Sequence, residues 1–351
     1  GHMRLHFTHP YKDNLDINFG QFTQLIGKNQ QLKYYMWQIF MWYFDGKKYS
    51  EEDLSLFNQE EPEILCEGKS LKRNSFSVIS ISDIQDLLEQ MSYKRGTVAC
   101  DFMKLHLNTV DVMTEVDDIN DKLDKISLTV NHNLDLSIKD VIYHTESCVV
   151  TSEQLLSKYF QPYFNYQGRN ISFEFVDNET KVMFLLKMLQ ERLSNDTNNI
   201  LLIFKNMDDY LDYSSFITIC KTITQMTEKF PNFYCTIFPS NESYLYVTKE
   251  TIEHVTIVSD FIESLFDLDF MYERFIGRYP SNNIPSKSEF LILLQKNASY
   301  LFSDQISYIS LGIPDMVAIK ILNSLYHYDK SVVYPIPKIE PLEISFLKDR
   351  D

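Results

Sequence analysis

Apolar residues follow two different rhythms along this chain of 351 residues, and each rhythm predicts its own kind of element. Alternating or continuous apolar runs predict strands at 4–7, 16–19, 22–26, 76–81, 171–175, 199–204, 233–238 and 255–258. Helical spacing predicts helices at 32–44, 179–193, 214–230, 260–275, 288–302 and 314–326. Strands that alternate with helices are typical of βαβ units, so we expect an α/β fold with a parallel sheet.

The stretch between the two α/β segments has a different pattern, a heptad repeat on one predicted helix. Its apolar positions are spaced by four and three residues: Val112, Val116, Ile119, Leu123, Ile126 and Val130. Acidic residues occupy the other faces. This pattern fits a solvated helix that packs on one neighbour through its apolar seam, or an extended helical arm that self-associates.

These patterns divide the chain into three parts. A discontinuous α/β head is predicted at 3–60 and 151–259, and it is interrupted at 61–150 by a helical leg that begins with a short basic strand. The remaining residues, 260–351, are predicted to form a mostly helical C-terminal extension. Its tail contains Pro335, Pro337 and Pro341, and we expect it to be an extended strap or disordered.

Composition narrows the class of protein. The 44% hydrophobic content supports a real core, and only nine glycines are present, which is few for an enzyme built on glycine-rich loops. No apolar run approaches the ~18 residues of a membrane span, and no secretory signal is visible. The five scattered cysteines lack C-x-x-C spacing, which favours reduced thiols and argues against a structural zinc site. We therefore expect a cytoplasmic protein.

The formal net charge of −16 argues against a general affinity for nucleic acid, unless basic residues cluster in a cleft or a ring. Several basic clusters interrupt the acidic background. They contain Lys47, Lys48, Lys69, Lys72, Arg73, Lys94 and Arg95. We consider these residues candidate contacts to DNA phosphates, and the alternative for each cluster is an ordinary solvated surface charge.

A degenerate phosphate loop follows the predicted strand at 22–26. Gly27 and Lys28 open the segment GKNQQLKY, where nucleotide hydrolases have G-x-x-x-x-G-K-[ST]. In the pattern, the second glycine lets the backbone wrap a phosphate, and the Ser or Thr hydroxyl binds magnesium. Here Leu32 replaces that glycine and Tyr34 replaces the hydroxyl residue. Of the ligand-binding side chains, Lys33 alone survives. The loop therefore predicts a degenerate P-loop-ATPase-like head that no longer hydrolyses nucleotide.

The magnesium-binding half of a nucleotide site is also missing. An acidic residue would be expected after the apolar strand at 199–204, but Lys205 and Asn206 follow it. Asp208 and Asp209 come later, on a predicted loop. A lysine in this place repels a cation, so we expect no ATP hydrolysis and no enzyme activity.

Two weaker constellations of polar residues remain. Asp177, Glu179 and Lys181 match the D…E-x-K spacing of metal-dependent nucleases, but the helical pattern favours Asp177 or its neighbour as a helix N-cap. Oxygen donors that could bind calcium lie close together near the end of the insertion, without an EF-hand pattern. They are Asn131, Asn133, Asp135 and Asp140.

Taken in order, these segments resemble the Csn2 family, the CRISPR-associated adaptation proteins of type II-A systems, in its long-chain subgroup. The basic strand at 69–81 and the Ser-Asp-Ile after it are similar to the family's lysine-bearing strand and following turn. The segment NLDL at 133–136 resembles the family's E-L-D-L, and LLIFKN at 201–206 resembles its L-L-I-F-V-N strand. The match covers about residues 3–258.

The resemblance implies a ring-shaped homotetramer whose subunits each have an α/β head and a helical leg. It implies a non-catalytic protein that binds double-stranded DNA through a lysine-lined central hole, which DNA enters at free ends, with calcium holding the ring. The implied partners are the CRISPR integrase and the effector nuclease of spacer acquisition. Lys69 and Lys72 fit the lysine strand. Asp135 and Asp140 fit the calcium-binding stretch, while Asn133 stands where the family has Glu.

Two other functions remain open from the residues themselves. The head could be a nucleotide-binding regulator that uses Lys33 without hydrolysis. Alternatively, the protein could be an interaction scaffold, derived from an ATPase fold, that uses its acidic leg and C-terminal helices.

Overall fold

The chain folds into two compact units in a computed structural model. The structure describes residues 3–45, 48–58, 60–240, 244–304, 306, 311–330 and 346. The first unit is built from Gly1–Ser82 and Asn198–Asp351, and the second unit from Asp83–Thr197.

The helices and strands follow in chain order. The first unit begins with β1 (Met3–Phe7), β2 (Asp16–Phe19), β3 (Phe22–Ile26), α1 (Gln30–Phe44), α2 (Glu51–Ser55), β4 (Ile64–Cys66), β5 (Lys69–Ser70) and β6 (Ser77–Ile81). The second unit contains α3 (Ile84–Gln90), α4 (Val98–Leu107), α5 (Val110–Asn133), β7 (Ser137–Ile138), β8 (Val141–Ile142), α6 (Ser152–Tyr159), β9 (Phe164–Tyr166), β10 (Arg169–Ile171) and α7 (Asn178–Asn195). The first unit resumes with β11 (Ile200–Lys205), α8 (Tyr213–Lys229), β12 (Phe233–Phe238), β13 (Val255–Val258), β14 (Ile262–Ser264), α9 (Leu268–Arg278), α10 (Lys287–Asn297) and α11 (Ile313–Leu325).

A six-stranded sheet organises the first unit, in the order β14-β13-β3-β12-β11-β6. Five of its strands are parallel, and only the edge strand β14 is antiparallel. Every residue of β3 and β13 is buried, as expected for parallel strands that are covered on both faces. The predicted α/β class is confirmed, and the sheet is mixed because β14 pairs antiparallel with β13.

Helices and a second sheet cover the two faces of the six-stranded sheet. Leu25 packs into a core with α1 and with the antiparallel sheet β2-β1-β4-β5. Its neighbour Ile26 packs into a core with α9, α10 and α11, because successive side chains of a strand point to opposite faces. The C-terminal helices predicted as an extension therefore share a core with the sheet.

The basic run at 69–81, predicted as one strand, is two strands in two different sheets. β5 pairs with β4 in the four-stranded sheet, whereas β6 pairs with β11 in the six-stranded sheet. A turn at 72–75 separates them, closed by a hydrogen bond from Ser75 N to Lys72 O of 3.0 Å. Lys69 and Lys72 therefore lie outside the parallel sheet.

The second unit is mainly helical and carries two small hairpins. α4 and α7 pack together, joined by an ion pair from Arg192 to Asp101 (3.3 Å) and by a hydrogen bond between His106 Nε2 and the Glu191 carboxylate (2.8 Å). β7 pairs with β8, and β9 pairs with β10. The strand predicted at 171–175 is wrong, because β10 ends at Ile171 and a 3₁₀ turn at Phe173–Phe175 leads into α7.

The unit boundaries differ from the three-part division predicted from the sequence. They fall after Ser82 and after Thr197 rather than after residues 60 and 150. β6 belongs to the first unit because its backbone is hydrogen-bonded to β11, and α7 belongs to the second. The helix predicted at 260–275 begins only at Leu268, since Ile262–Ser264 pairs with β13. The Pro-containing tail at 335–341 lies outside the described residues.

Candidate functional site

The loop after β3 is the tightest turn of the candidate site. Gly27 adopts a φ of +118°, and a Cβ at this position would lie 2.2 Å from the carbonyl oxygen of Val258. Only glycine tolerates both this backbone conformation and this approach. The glycine of the phosphate-loop pattern is thus retained because the chain passes directly against the end of β13.

The backbone N–H groups that would wrap a phosphate donate hydrogen bonds within the chain instead. The N–H of Lys28 donates to the Oγ of Ser259 (3.1 Å), and the N–H of Asn29 donates to Val258 O (3.0 Å). The side chain of Asn29 caps α1 by accepting from the N–H of Leu32 (3.1 Å). An anion site at a helix N-terminus needs such N–H groups pointing at the ligand, so this loop is closed by its own contacts.

The helix also starts too early for a phosphate loop. α1 begins at Gln30, only three residues after the glycine, and thus runs through the positions that a wrapping loop would need. Lys33 is therefore placed on the first turn of the helix rather than at its start. The Asn29 cap could have been recognised in the sequence, because an Asn directly before an apolar helical run is a typical N-cap.

Lys33 is buried and is used inside the fold. Only 5% of its surface is exposed, and its Nζ donates to the carbonyl oxygen of Pro239 (3.2 Å). Burial lowers the pKa of Lys33 to about 8, the carboxylate of Asp208 opposes this shift, and Lys28 adds to it. The surviving lysine of the motif is a packing residue with one internal hydrogen bond.

Aromatic rings hold the other two lysines of the degenerate site. The Nζ of Lys205 lies 4.1 Å from the ring centroid of Trp37 and 4.6 Å from that of Tyr34. The Nζ of Lys28 lies 4.6 Å from the ring centroid of Tyr300. Such cation–π contacts stabilise a lysine against a ring face. Tyr34 and Lys205 replace the two magnesium-binding residues of the pattern, and here they contact each other.

Asp208, the first acidic residue after β11, is also engaged within the fold. Asp208 Oδ1 accepts from the N–H of Ser240 (3.0 Å), and Asp208 Oδ2 accepts from the Ser240 hydroxyl (2.7 Å). Asp208 therefore anchors the chain after β12 instead of facing an open metal position. Ser259, Pro239 and Ser240 complete this closed site, and no sequence signal near the loop indicates them.

Among the candidate DNA contacts that the structure describes, five side chains are exposed, and the sixth, Arg73, is held by contacts within the fold. The exposed residues are Lys48, Lys69, Lys72, Lys94 and Arg95, whereas Lys47 lies outside the described residues. Lys48, Lys69 and Lys72 belong to the first unit, and Lys94 and Arg95 lie between α3 and α4 in the second. Lys94 pairs with Glu89 at 3.1 Å across a solvated surface.

Arg73 differs from the other basic residues because the fold holds its guanidinium. It pairs with Glu61 (3.3 Å) and lies over the rings of Tyr43 (4.9 Å) and Tyr49 (6.0 Å). The hydroxyl of Tyr43 also donates to the backbone carbonyl of Leu71. Through these contacts, Arg73 positions the segment that carries Lys69 and Lys72.

The candidate calcium ligands are spread over a helix end and a hairpin, and all but Asn131 are exposed. The side chain of Asn131 donates to Thr145 O and accepts from Thr145 N, both at 2.7 Å. Asn133 ends α5, Asp135 follows it, and Asp140 lies in the tight turn between β7 and β8, with Lys139 and Asp140 both at positive φ. Among the described residues, no group of three or more His, Cys, Asp and Glu could hold a metal ion. Calcium takes about six to eight oxygen ligands, and the side chains of Asn133, Asp135 and Asp140 would supply only part of such a set.

The nuclease-like spacing at 177–181 has a structural explanation. Asp177 is the N-cap of α7, and its carboxylate accepts hydrogen bonds from the N–H (2.8 Å) and the hydroxyl (2.9 Å) of Thr180. Lys181 is buried within the helix. The interpretation of Asp177 as an N-cap is confirmed.

Two remaining features, the apolarity of the described helices and the state of the cysteines, add no residue to the candidate site. None of the described helices has the length and apolarity that crossing a membrane requires. The five cysteines are free thiols, and Cys100, Cys220 and Cys235 are buried. Burial raises the pKa of Cys220 and Cys235, which keeps these thiols protonated and inert.

The fold and the closed loop define an α/β protein whose phosphate-loop position is filled by its own contacts. More particularly, the chain belongs to the family of CRISPR-associated protein Csn2, subfamily St, whose model matches residues 7–341. The expected family is thus confirmed, and this family takes part in CRISPR adaptation.

A solved structure is similar over nearly the entire chain. The crystal structure of Stu0660 of Streptococcus thermophilus is 39% identical in sequence, with a TM-score of 0.91. The alignment covers 99% of this chain and 100% of that one. The comparison with curated proteins finds no match.

Proposed function

We propose that this protein is a non-catalytic ring that binds the ends of double-stranded DNA during CRISPR spacer acquisition, independently of DNA sequence. The observation that carries the proposal is the closed phosphate loop in a chain of an adaptation family. The fold then serves as a scaffold for DNA, and the partners are the CRISPR integrase and effector nuclease of the adaptation complex.

The absence of ATP hydrolysis follows from the contacts of the loop. The N–H groups of Lys28 and Asn29 bond to the end of β13, and Lys33 bonds to Pro239. A phosphate would have to break these contacts and would still lack a magnesium ligand, since Lys205 is held by aromatic rings. We infer that the head descends from a P-loop ATPase architecture and retains only its framework. The same contacts argue against a nucleotide-binding regulator.

The exposed lysines support binding to DNA phosphates. Lys69 and Lys72 project from a surface outside the parallel sheet, and Arg73 holds the segment between β5 and β6 in place. In a chain with a net charge of −16, a hole lined by lysines would attract a duplex while the outer surface repels it. Such binding is independent of sequence and falls steeply with salt.

Assembly into a homotetramer is supported by the apolar seam of α5. Of its six residues only Val116 is buried, while Ile119, Ile126 and Val130 are 38%, 58% and 40% exposed. An exposed heptad seam is typical of a helix that pairs with another chain. We place calcium at Asp135 and Asp140, with the remaining ligands supplied elsewhere in the assembly, where it would reduce repulsion between acidic surfaces.

The proposal is tested by reversing the charge of the two lysines. The double variant Lys69→Glu, Lys72→Glu is expected to assemble normally and to lose DNA binding at least tenfold, since each phosphate contact contributes to the salt-dependent affinity. Lys320→Glu, an exposed charge reversal on α11, is the matched control. Unchanged affinity of the double variant in an electrophoretic titration would overturn the assignment of these lysines.

A further inference from the structure

An aromatic cleft in the second unit takes no part in the proposed DNA binding. It has a volume of about 590 Å³ and lies between the β9–β10 hairpin and the start of α7. Five aromatic residues line it: Tyr163, Phe164, Tyr166, Phe175 and Phe184. Phe164 packs against Phe184 with their ring centroids 4.9 Å apart, whereas Phe175 is 81% exposed.

One carboxylate accompanies these rings. Asp177 lines the cleft, and the lining contains neither Lys nor Arg. Hydrogen bonds from the backbone and side chain of Thr180 lower the pKa of Asp177, so the carboxylate remains charged near neutral pH. Aromatic faces beside a carboxylate attract a cation, because the ring quadrupole and the negative charge act in the same direction. The same carboxylate repels a nucleic-acid phosphate.

The hairpin offers a strand edge along the same cleft. Gln167 and Gly168 form its two-residue turn, with φ values of +51° and +81°. Tyr166 pairs with Arg169 beside the turn, and Asn165 pairs with Asn170 next. Since hydrogen-bonded and non-hydrogen-bonded pairs alternate in an antiparallel ladder, the backbone N–H and C=O of Asn165 point away from β10. Both faces of β9 contribute lining residues, so the cleft follows this outer edge.

We propose that this cleft binds an extended segment of a partner protein that carries an arginine or lysine side chain. The basic side chain would lie against the aromatic rings beside Asp177. The backbone of the segment would add to the outer edge of β9 through Asn165. Strand addition supplies affinity and a side-chain pocket supplies specificity, which is a known mode of peptide recognition. The cleft is thus a protein-docking site in addition to the proposed DNA surface.

Two variants separate the contributions of charge and ring. Asp177→Asn removes the charge but keeps a good N-cap, so α7 should remain capped. Phe175→Ala removes an aromatic side chain that is mostly exposed, and its loss should not unfold the unit. Tyr11→Ala removes an equally exposed ring from the other unit, where Tyr11 is 84% exposed, and serves as the control.

The experiment measures retention of the full-length chain on bead-bound peptides. Their flanking positions are randomised, and the central residue is arginine in one pool and citrulline in the other. We expect the arginine pool to retain the wild type about tenfold more strongly, and both Asp177→Asn and Phe175→Ala to lose most of that preference. Tyr11→Ala should behave as wild type, and hydrogen exchange at 163–166 should slow in the presence of the arginine pool.

Several outcomes would overturn the proposal. Equal retention by the two pools would show that the cleft does not recognise the positive charge of arginine. An Asp177→Asn variant that keeps the preference would show that Asp177 does not provide this recognition. Binding of single-stranded oligothymidine that depends on Phe175 but not on Asp177 would identify a base-stacking surface instead. A lower mass of Phe175→Ala in light scattering would identify a contact between copies of this chain.

Discussion

The Nζ of Lys205 lies 4.6 Å from the ring centroid of Tyr34. In a working nucleotide hydrolase the corresponding two positions would hold magnesium together. Here a cation and an aromatic ring hold each other, and Trp37 contacts the same lysine from 4.1 Å. The two side chains therefore stabilise each other.

The contacts of the loop predict that an acidic residue at position 205 does not create ATP hydrolysis. Lys205→Asp is expected to leave ATP hydrolysis at background in a phosphate-release assay, because the loop N–H groups stay bonded to Val258 and Ser259. Loss of the contacts to both rings should also lower stability by about 1–2 kcal/mol. Lys205→Met, which keeps the stem but removes the charge, is the matched variant for stability. Magnesium-dependent hydrolysis by Lys205→Asp would contradict the closed-loop account.

Gly27 provides a test of the tight approach between the loop and β13. Gly27→Ala is expected to lower the free energy of unfolding by at least about 3 kcal/mol, because the new Cβ would meet Val258 O and the residue would keep a positive φ. Gly168→Ala is a suitable comparison, since its φ is +81° but no atom lies within 4 Å of the added Cβ. Equal losses in urea unfolding of both variants would show that the approach to Val258 does not matter.

Buried Lys33 predicts a specific pH dependence of stability. Its folded-state pKa of about 8 is below the ordinary value of 10.5, so between these pH values the unfolded chain binds more protons than the folded chain. Stability from this group therefore rises with pH across that window and is lowest below pH 8.

The variant Lys33→Met removes this pH dependence. The free energy of unfolding of Lys33→Met minus that of wild type should be highest at pH 7. This difference should fall by up to about 3 kcal/mol as the pH approaches 10.5. Denaturant unfolding at several pH values measures the difference, and Lys320→Met, at an exposed site, is the control for the loss of a lysine. If the free energy of unfolding of wild type and of Lys33→Met changed with pH in the same way, burial would not lower the pKa of Lys33.

The proposed ring can be tested at the exposed seam of α5. If copies of the chain associate through this seam, Ile126→Glu is expected to shift the mass in light scattering towards smaller species, because a charge would be buried there. Leu128→Glu is the control, since Leu128 is 69% exposed on the same helix but lies off the heptad positions. An unchanged mass of Ile126→Glu, or an equal decrease in mass for both variants, would show that the seam does not form the interface.

The sequence predicted the parallel strands well, and for a clear reason. β11 and β12 are short, mainly apolar runs, which is the pattern that burial on both faces favours. β3 is equally buried but includes the polar residues Thr23 and Gln24. β14 was missed because its pairing with β13 is made by the tertiary fold, while its residues Ile262–Ser264 fit a helical spacing equally well.

The candidate site was predicted only in its losses. Leu32, Tyr34 and Lys205 show in the sequence that this segment does not complete a phosphate-loop pattern. Their new roles could not be predicted, because the partners come from distant segments: Ser259 is 231 residues from Lys28, and Pro239 is 206 residues from Lys33. Long-range contacts of this kind leave no local pattern.

A ring that DNA enters only at free ends, as we propose, must distinguish linear from closed circular duplexes. Linear and covalently closed circular DNA of the same sequence are titrated with the full-length protein in calcium, and complexes are counted after a challenge with competitor DNA. The account predicts that complexes form on linear DNA and are lost when both ends are blocked by a bulky protein, while the circle binds at least tenfold more weakly. Equal binding of the linear and circular duplexes would contradict it.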